Sequence, residues 1–212
     1  DGSCEYETTV DYSIDMHAGA NLISLWAFPE DNSVAGIMDN LGDNATGVIG
    51  EGVAASHLGG GTWVGSLSEL SATSGYWVKV NGSDVLDISE ATPTDPATVY
   101  NLHTGANLIS FPFGGSIDLS DGIPDDVEPS FIGVIGEGVA ASQIAPYTWV
   151  GSLSSWSGTK GYWAKVGEEL SFSFNAPELS RENEESMDFP YEYEQSMEQA
   201  FYFIENVESA EI

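Results

Sequence analysis

Residues 10, 12, 14 and 16 are Val, Tyr, Ile and Met, and polar residues separate them. That period of two predicts a strand with one face buried. A His-x-Gly-Ala-Asn segment follows as a turn, and residues 22–26, Leu-Ile-Ser-Leu-Trp, read as the returning strand of a hairpin. Further on, 98–102 and 107–113 repeat the same pair. Between 34 and 41 the period changes: Val34, Ile37, Met38 and Leu41 share one face of a short helix, with Asn32 or Ser33 as its cap. Pro124 at the corresponding later position shortens that helix or starts it. Short β segments punctuated by glycine are expected at 46–50, 61–65, 75–80 and 84–88, with echoes later in the chain.

The echo is a true internal repeat. His17-Ala-Gly-Ala-Asn-Leu-Ile-Ser24 returns as His103-Thr-Gly-Ala-Asn-Leu-Ile-Ser110, and 47–56 is identical to 133–142. Thr-Trp-Val-Gly-Ser-Leu-Ser at 62–68 recurs at 148–154, and Gly-Tyr-Trp-Val-Lys-Val at 75–80 recurs at 161–166 with one change. Aligned without gaps at an offset of 86, residues 17–80 and 103–166 agree at 34 of 64 positions. The chain therefore carries two copies of one module. The expected organisation is an N-terminal extension (1–9), module 1 (10–92), module 2 (93–176), and an acidic linker with a strand-forming extension (177–212). The expected fold class is mainly β, β-rich with one short helix per module.

Charge narrows the function. Against 34 Asp and Glu stand only 4 Lys and Arg, a formal net charge of −30 at pH 7. Phosphate contacts need clustered Lys and Arg, so nucleic acid is excluded as a partner. No apolar run reaches the length of a membrane-spanning helix, so no membrane insertion is expected.

Candidate chemistry is sparse. The repeated glycines read as turns or close approaches of backbone. Trp63, Trp77, Trp149 and Trp163 are read first as packing and second as glycan contacts, since Trp can stack on sugar rings. Lys79 and Lys165 occupy one repeat position in a chain with almost no cations, and Glu51 and Glu137 occupy another. An ion pair within each module, Glu51 with Lys79 and Glu137 with Lys165, would explain their retention. His17 and His103 also match, but neither has a neighbouring Cys or second His at metal-ligand spacing, and they read as turn or capping residues. Asp118, Asp121, Asp125, Asp126 and Glu128 form an acidic loop, a weak calcium candidate that lacks the regular calcium-loop spacing. No catalytic constellation can be assembled, so the chain is not expected to be an enzyme, and no cofactor other than calcium is implied.

Asp1-Gly-Ser-Cys4-Glu-Tyr6 resembles the close of the acidic "DDGSCEY" motif of large secreted bacterial proteins exported by the type IX route. The repeat, with its "NLIS", "IGEGVA", "WVGSL" and "GYWVKV" segments, is similar to modules of the same proteins. The resemblance implies extracellular or cell-surface placement, as spacer or adhesive modules in a longer chain, with a partner for Cys4 upstream. Two functional readings follow. The first is a non-catalytic structural or adhesive protein whose tandem modules assemble into a surface fibre by strand addition. The second is a glycan-binding module of a secreted multidomain enzyme. Expected partners are neighbouring copies, adjacent domains or surface glycans. Tyr193, Phe201, Tyr202 and Phe203, in a tail too apolar to stay in water, are the expected assembly residues.

Overall fold

In the computed structural model, the structure describes residues 9–177. The expected contacts of Cys4, Tyr193, Phe201, Tyr202 and Phe203 lie outside the described residues. The fold is mainly β, with two separate five-stranded sheets and only short helices. In module 1 the strands are β1 (Val10–Met16), β2 (Gly19–Ile23), β3 (Ala27–Phe28), β4 (Ala45–Ile49), β5 (Ala54–His57), β6 (Trp63–Gly65), β7 (Tyr76–Val80) and β8 (Asp84–Pro93). Module 2 contributes β9 (Tyr100–Leu102), β10 (Gly105–Ile109), β11 (Ser116–Asp118), β12 (Phe131–Gly136), β13 (Val139–Ala145), β14 (Thr148–Gly151), β15 (Ser155–Ser157), β16 (Tyr162–Val166) and β17 (Leu170–Phe172).

The two large sheets have one topology. Their orders are β2-β7-β4-β5-β6 and β10-β16-β12-β13-β14. Register agrees as well: Gly19 pairs Val80 and Ile23 pairs Tyr76, while Gly105 pairs Val166 and Ile109 pairs Tyr162. Each sheet covers its own hydrophobic core. Val48, Val78 and Ala55 face the first core, and Val134, Ala164 and Ala141 face the second.

The expected hairpin is not formed. β1 pairs with β8, β9 pairs with β17, and the strands after the turns join the large sheets instead. The reason is local. The buried Asn21 side chain accepts from His17 N (2.9 Å) and donates to His17 O (2.9 Å), so a side chain closes the loop where a second strand would have paired. Asn107 does the same to His103 at 2.9 and 2.8 Å. The chain thereby crosses from one sheet to another rather than folding back.

Between the retained segments the modules diverge. Ser33 caps a four-residue helix, α1 (Val34–Ile37), accepting from Gly36 N at 3.0 Å. A 3-10 segment (Asp39–Asn44) follows, broken at Gly42, so the helix is shorter than its apolar face suggested. Val34, Ile37, Met38 and Leu41 are nevertheless all buried. Module 2 has only a 3-10 turn (Glu128–Ser130) there, and adds the β11–β15 pair.

Candidate functional site: the junction between modules

The matched polar residues of the repeat meet between the modules. Glu137 sits in the β12–β13 turn of module 2, and its Oε1 is hydrogen-bonded to His17 Nε2 of module 1. Its Oε2 accepts from Leu22 N at 2.8 Å. Reciprocally, Glu51 in the β4–β5 turn takes His103 Nε2 on Oε1 (2.6 Å) and Leu108 N on Oε2 (2.8 Å). Each carboxylate thus holds the imidazole of the other module and caps one main-chain amide on the open edge of β2 or β10.

The main chain repeats this reciprocity. Gly161 N donates to Leu22 O and Gly75 N to Leu108 O, both at 3.1 Å. Ser24 N donates to Thr159 O at 3.4 Å, and Ser110 N to Thr73 O at 3.3 Å. Isolated antiparallel bridges join Ile23 to Lys160 and Ile109 to Ser74. At the centre, a Cβ on Gly75 would lie 3.2 Å from Gly161 Cα and 2.8 Å from Ile109 O. One on Gly161 would lie 2.6 Å from Ile23 O. Glycine here permits close approach; the repeat retains it for packing rather than for a turn.

The contacts of both rings favour the protonated form of the histidines. His17 Nδ1 faces Ala18 O at 2.9 Å and His103 Nδ1 faces Thr104 O at 2.9 Å. A carbonyl oxygen can only accept, so Nδ1 carries a hydrogen, and Nε2 must also carry one to meet the carboxylate. Each ring satisfies both acceptors only as the imidazolium. The Ala18 carbonyl and Glu137 accordingly raise the pKa of His17 above its ordinary value, and Glu51 and the Thr104 carbonyl raise that of His103.

The ion pairs expected within each module do not form. Among the described residues, the only carboxylate–cation contacts within salt-bridge distance involve His17, His57 and His103. Glu51 and Glu137 are engaged across the junction, while Lys79 and Lys165 stand exposed on the outer faces of the large sheets. The error was one of partner: identical positions in two copies read equally well as contacts within a copy or between copies.

The tryptophans divide into two pairs. Trp63 stacks on His57, with ring centroids 4.8 Å apart, and packs against the first core. Trp149 packs against the second core and donates its indole N–H to Glu128 Oε1 at 2.6 Å. Trp77 and Trp163 occupy the opposite side, half-buried on the outer faces. There the pairings Trp77–Ile49 and Trp163–Ile135 place each ring beside an isoleucine that is 52% or 54% exposed.

The acidic loop does not converge. Among the described residues no three His, Cys, Asp or Glu side chains are grouped to hold a metal ion, and Asp118, Asp121, Asp125 and Asp126 make no such cluster. Glu128 is instead fully buried, accepting from Ser120 Oγ (2.6 Å) as well as Trp149. Beside the His17–Glu137 contact lies a cleft of about 430 Å³ that includes Asp15 and Lys160. Its counterpart at His103, about 340 Å³, has Asn101 and Ser74 in those places.

No family model, curated protein or solved structure matches this chain.

Proposed function

We propose that the chain is a non-catalytic structural and adhesive element of a secreted or cell-surface bacterial protein, with its two modules acting as one rigid unit. The reciprocal junction carries this reading. The histidines and glutamates that the repeat preserves, the residue types best suited to acid–base work, are committed to holding one module against the other. Assembly into a fibre by strand addition would use the remaining sheet edges: among the described residues, β6, β14 and the outer side of β1 each pair on one side only. The extracellular placement and export by the type IX route rest on the sequence resemblance.

Small-angle scattering and electron microscopy of the full chain test the proposal. A single fixed separation of the modules, with filaments forming as concentration rises, is the expected result. Modules that move independently would overturn the rigid-unit reading.

The outer faces favour the second reading, a glycan-binding module of a multidomain enzyme. Trp77, Lys79, Ile49 and Val64 share one outer face, and Trp163, Lys165, Ile135 and Val150 share its duplicate. A half-exposed indole beside an amine donor is suited to stacking on an uncharged sugar ring and bonding its hydroxyls. A glycan array with native protein and with Trp77→Ala/Trp163→Ala distinguishes the readings: binding lost in the variant supports the module, and no binding by native protein removes it.

A further inference from the structure

We infer that the junction is a self-recognition surface, so that a second copy of this chain can supply the partner that each module now finds within its own chain. This deepens the assembly part of the structural reading and rests on it. The pairing is isologous in kind. The central cross-module contacts each have a twin displaced by one repeat: His17 with Glu137 and His103 with Glu51, Leu22 with Gly161 and Leu108 with Gly75, Ser24 with Thr159 and Ser110 with Thr73. An interface of that form is self-complementary, because each partner presents both halves of the contact. Module 1 carries His17, the Leu22 edge, Glu51 and Gly75, and module 2 carries their equivalents. Where the copies differ within the junction, at Ser74 and Lys160, the bridges to Ile109 and Ile23 run through main chain.

Contacts outside that symmetry set the order of partners. A Cβ at Gly114 or Gly158 would lie about 3 Å from the Trp26 ring, and Tyr100 Oη of module 2 donates to Ala72 O of module 1 at 3.5 Å. Pro112 stands at the repeat position of Trp26, and Ile14 at that of Tyr100. Module 1 therefore selects a module 2 over another module 1, and exchange between chains yields a dimer with two native junctions. Between β8 and β9 only residues 94–99 intervene, and so short a connection gives the internal partner an effective concentration in the millimolar range. Dilute chains close on themselves; concentrated or freshly refolding chains exchange.

Charge complementation tests this in the full chain. One variant carries Glu51→Lys and Glu137→Lys, the other His17→Glu and His103→Glu. Each alone sets like charges against each other at both contacts, whereas a mixture restores opposite charges between chains. The expected result by light scattering is monomers separately and a doubled mass on mixing. A mixture that stays monomeric while both variants keep their β-sheet circular dichroism overturns the inference. If either variant fails to fold, native chain refolded across a range of concentrations provides the second measurement. A dimer fraction that grows with refolding concentration supports exchange, and monomer throughout overturns it. Failure here with a single fixed module separation in scattering leaves the rigid-unit reading standing.

Discussion

Module 1 and module 2 keep the same large sheet in the same register, yet they fill the space beneath it differently. Leu70 is buried in the first core where Trp156 is buried in the second. Leu25, Ala45, Leu86 and Ile88 have as repeat equivalents Phe111, Phe131, Phe172 and Phe174. The second core is consequently a connected set of rings, with Phe174 edge-on to Tyr100, Phe111 and Trp156 at centroid distances of 5.0–5.2 Å. The first fills comparable space with α1 and aliphatic side chains. Cores tolerate such repacking when total volume and pattern are kept. The retained segments are those that build the sheet, its turns and the junction, and these are constrained by each other.

Truncation at the deepest divergent position should separate the modules most. Trp156→Ala removes a fully buried ring and should cost about 3–5 kcal/mol. Leu70→Ala should cost about 2–5 kcal/mol. Urea titrations of both variants are the measurement, and a smaller loss for Trp156→Ala would mean that the aromatic core relaxes around the hole.

At the retained junction the modules should instead respond alike. Gly75→Val and Gly161→Val each force a side chain into main chain of the other module, and overpacking of this kind costs about 1–3 kcal/mol. Similar losses in thermal melts are expected. A large loss in only one would show that the junction's symmetry does not extend to its energetics.

Glu128 offers a smaller contrast, because module 1 has Gly42 at that repeat position. Its Oε2 has no hydrogen-bond partner among the described residues. Glu128→Gln keeps an acceptor for Trp149 and Ser120 and removes a buried carboxyl without a cation. Stability should hold within about 1 kcal/mol of native, since the Oε1 contacts are kept and one unpartnered buried polar atom replaces another. Chemical denaturation decides it; a marked loss would mean the carboxyl is needed.

The least effect is expected from pH. The folded-state pKa values of His17 and His103 are raised above 6.5. Their contribution is therefore fully present below pH 6.5 and is lost as pH climbs through the folded values. Melting temperature should fall modestly over that interval, and Glu51→Gln/Glu137→Gln should flatten the fall. An unchanged slope in the double variant would remove these pairs as its source.

The repeat, the β class, the buried face of β1 and a cap at Asn32 or Ser33 were legible in the sequence, because periodicity and turn chemistry act locally; the structure chooses Ser33. β5 was not: Ala-Ala-Ser-His has little β propensity and becomes a strand because β4 and β6 flank it. The hairpin expectation failed because Asn21 looks like an ordinary turn residue until its amide is seen bonding both main-chain groups of His17. The site was half legible. Matched His, Glu and Gly announced a shared constraint, but nothing in one chain's sequence distinguishes a contact within a copy from the same contact made across to its twin. Lys79 suggested a partner for Glu51 by charge alone, and charge carries no direction.

The pairing of terminal strands has a mechanical consequence. Val10, where β1 begins, lies opposite Ala91 near the end of β8, and Tyr100 at the start of β9 lies opposite Phe172 at the end of β17. Entry and exit of each module are therefore neighbours across a single antiparallel ladder. Tension applied through the chain would pull those neighbours apart along the direction of their hydrogen bonds, which lie perpendicular to the strands. Bonds loaded that way yield one after another rather than all together in shear. Each module would peel open at low force from its terminal strand pair, while the large sheet and its junction, attached away from that line of load, would be the last to feel the pull.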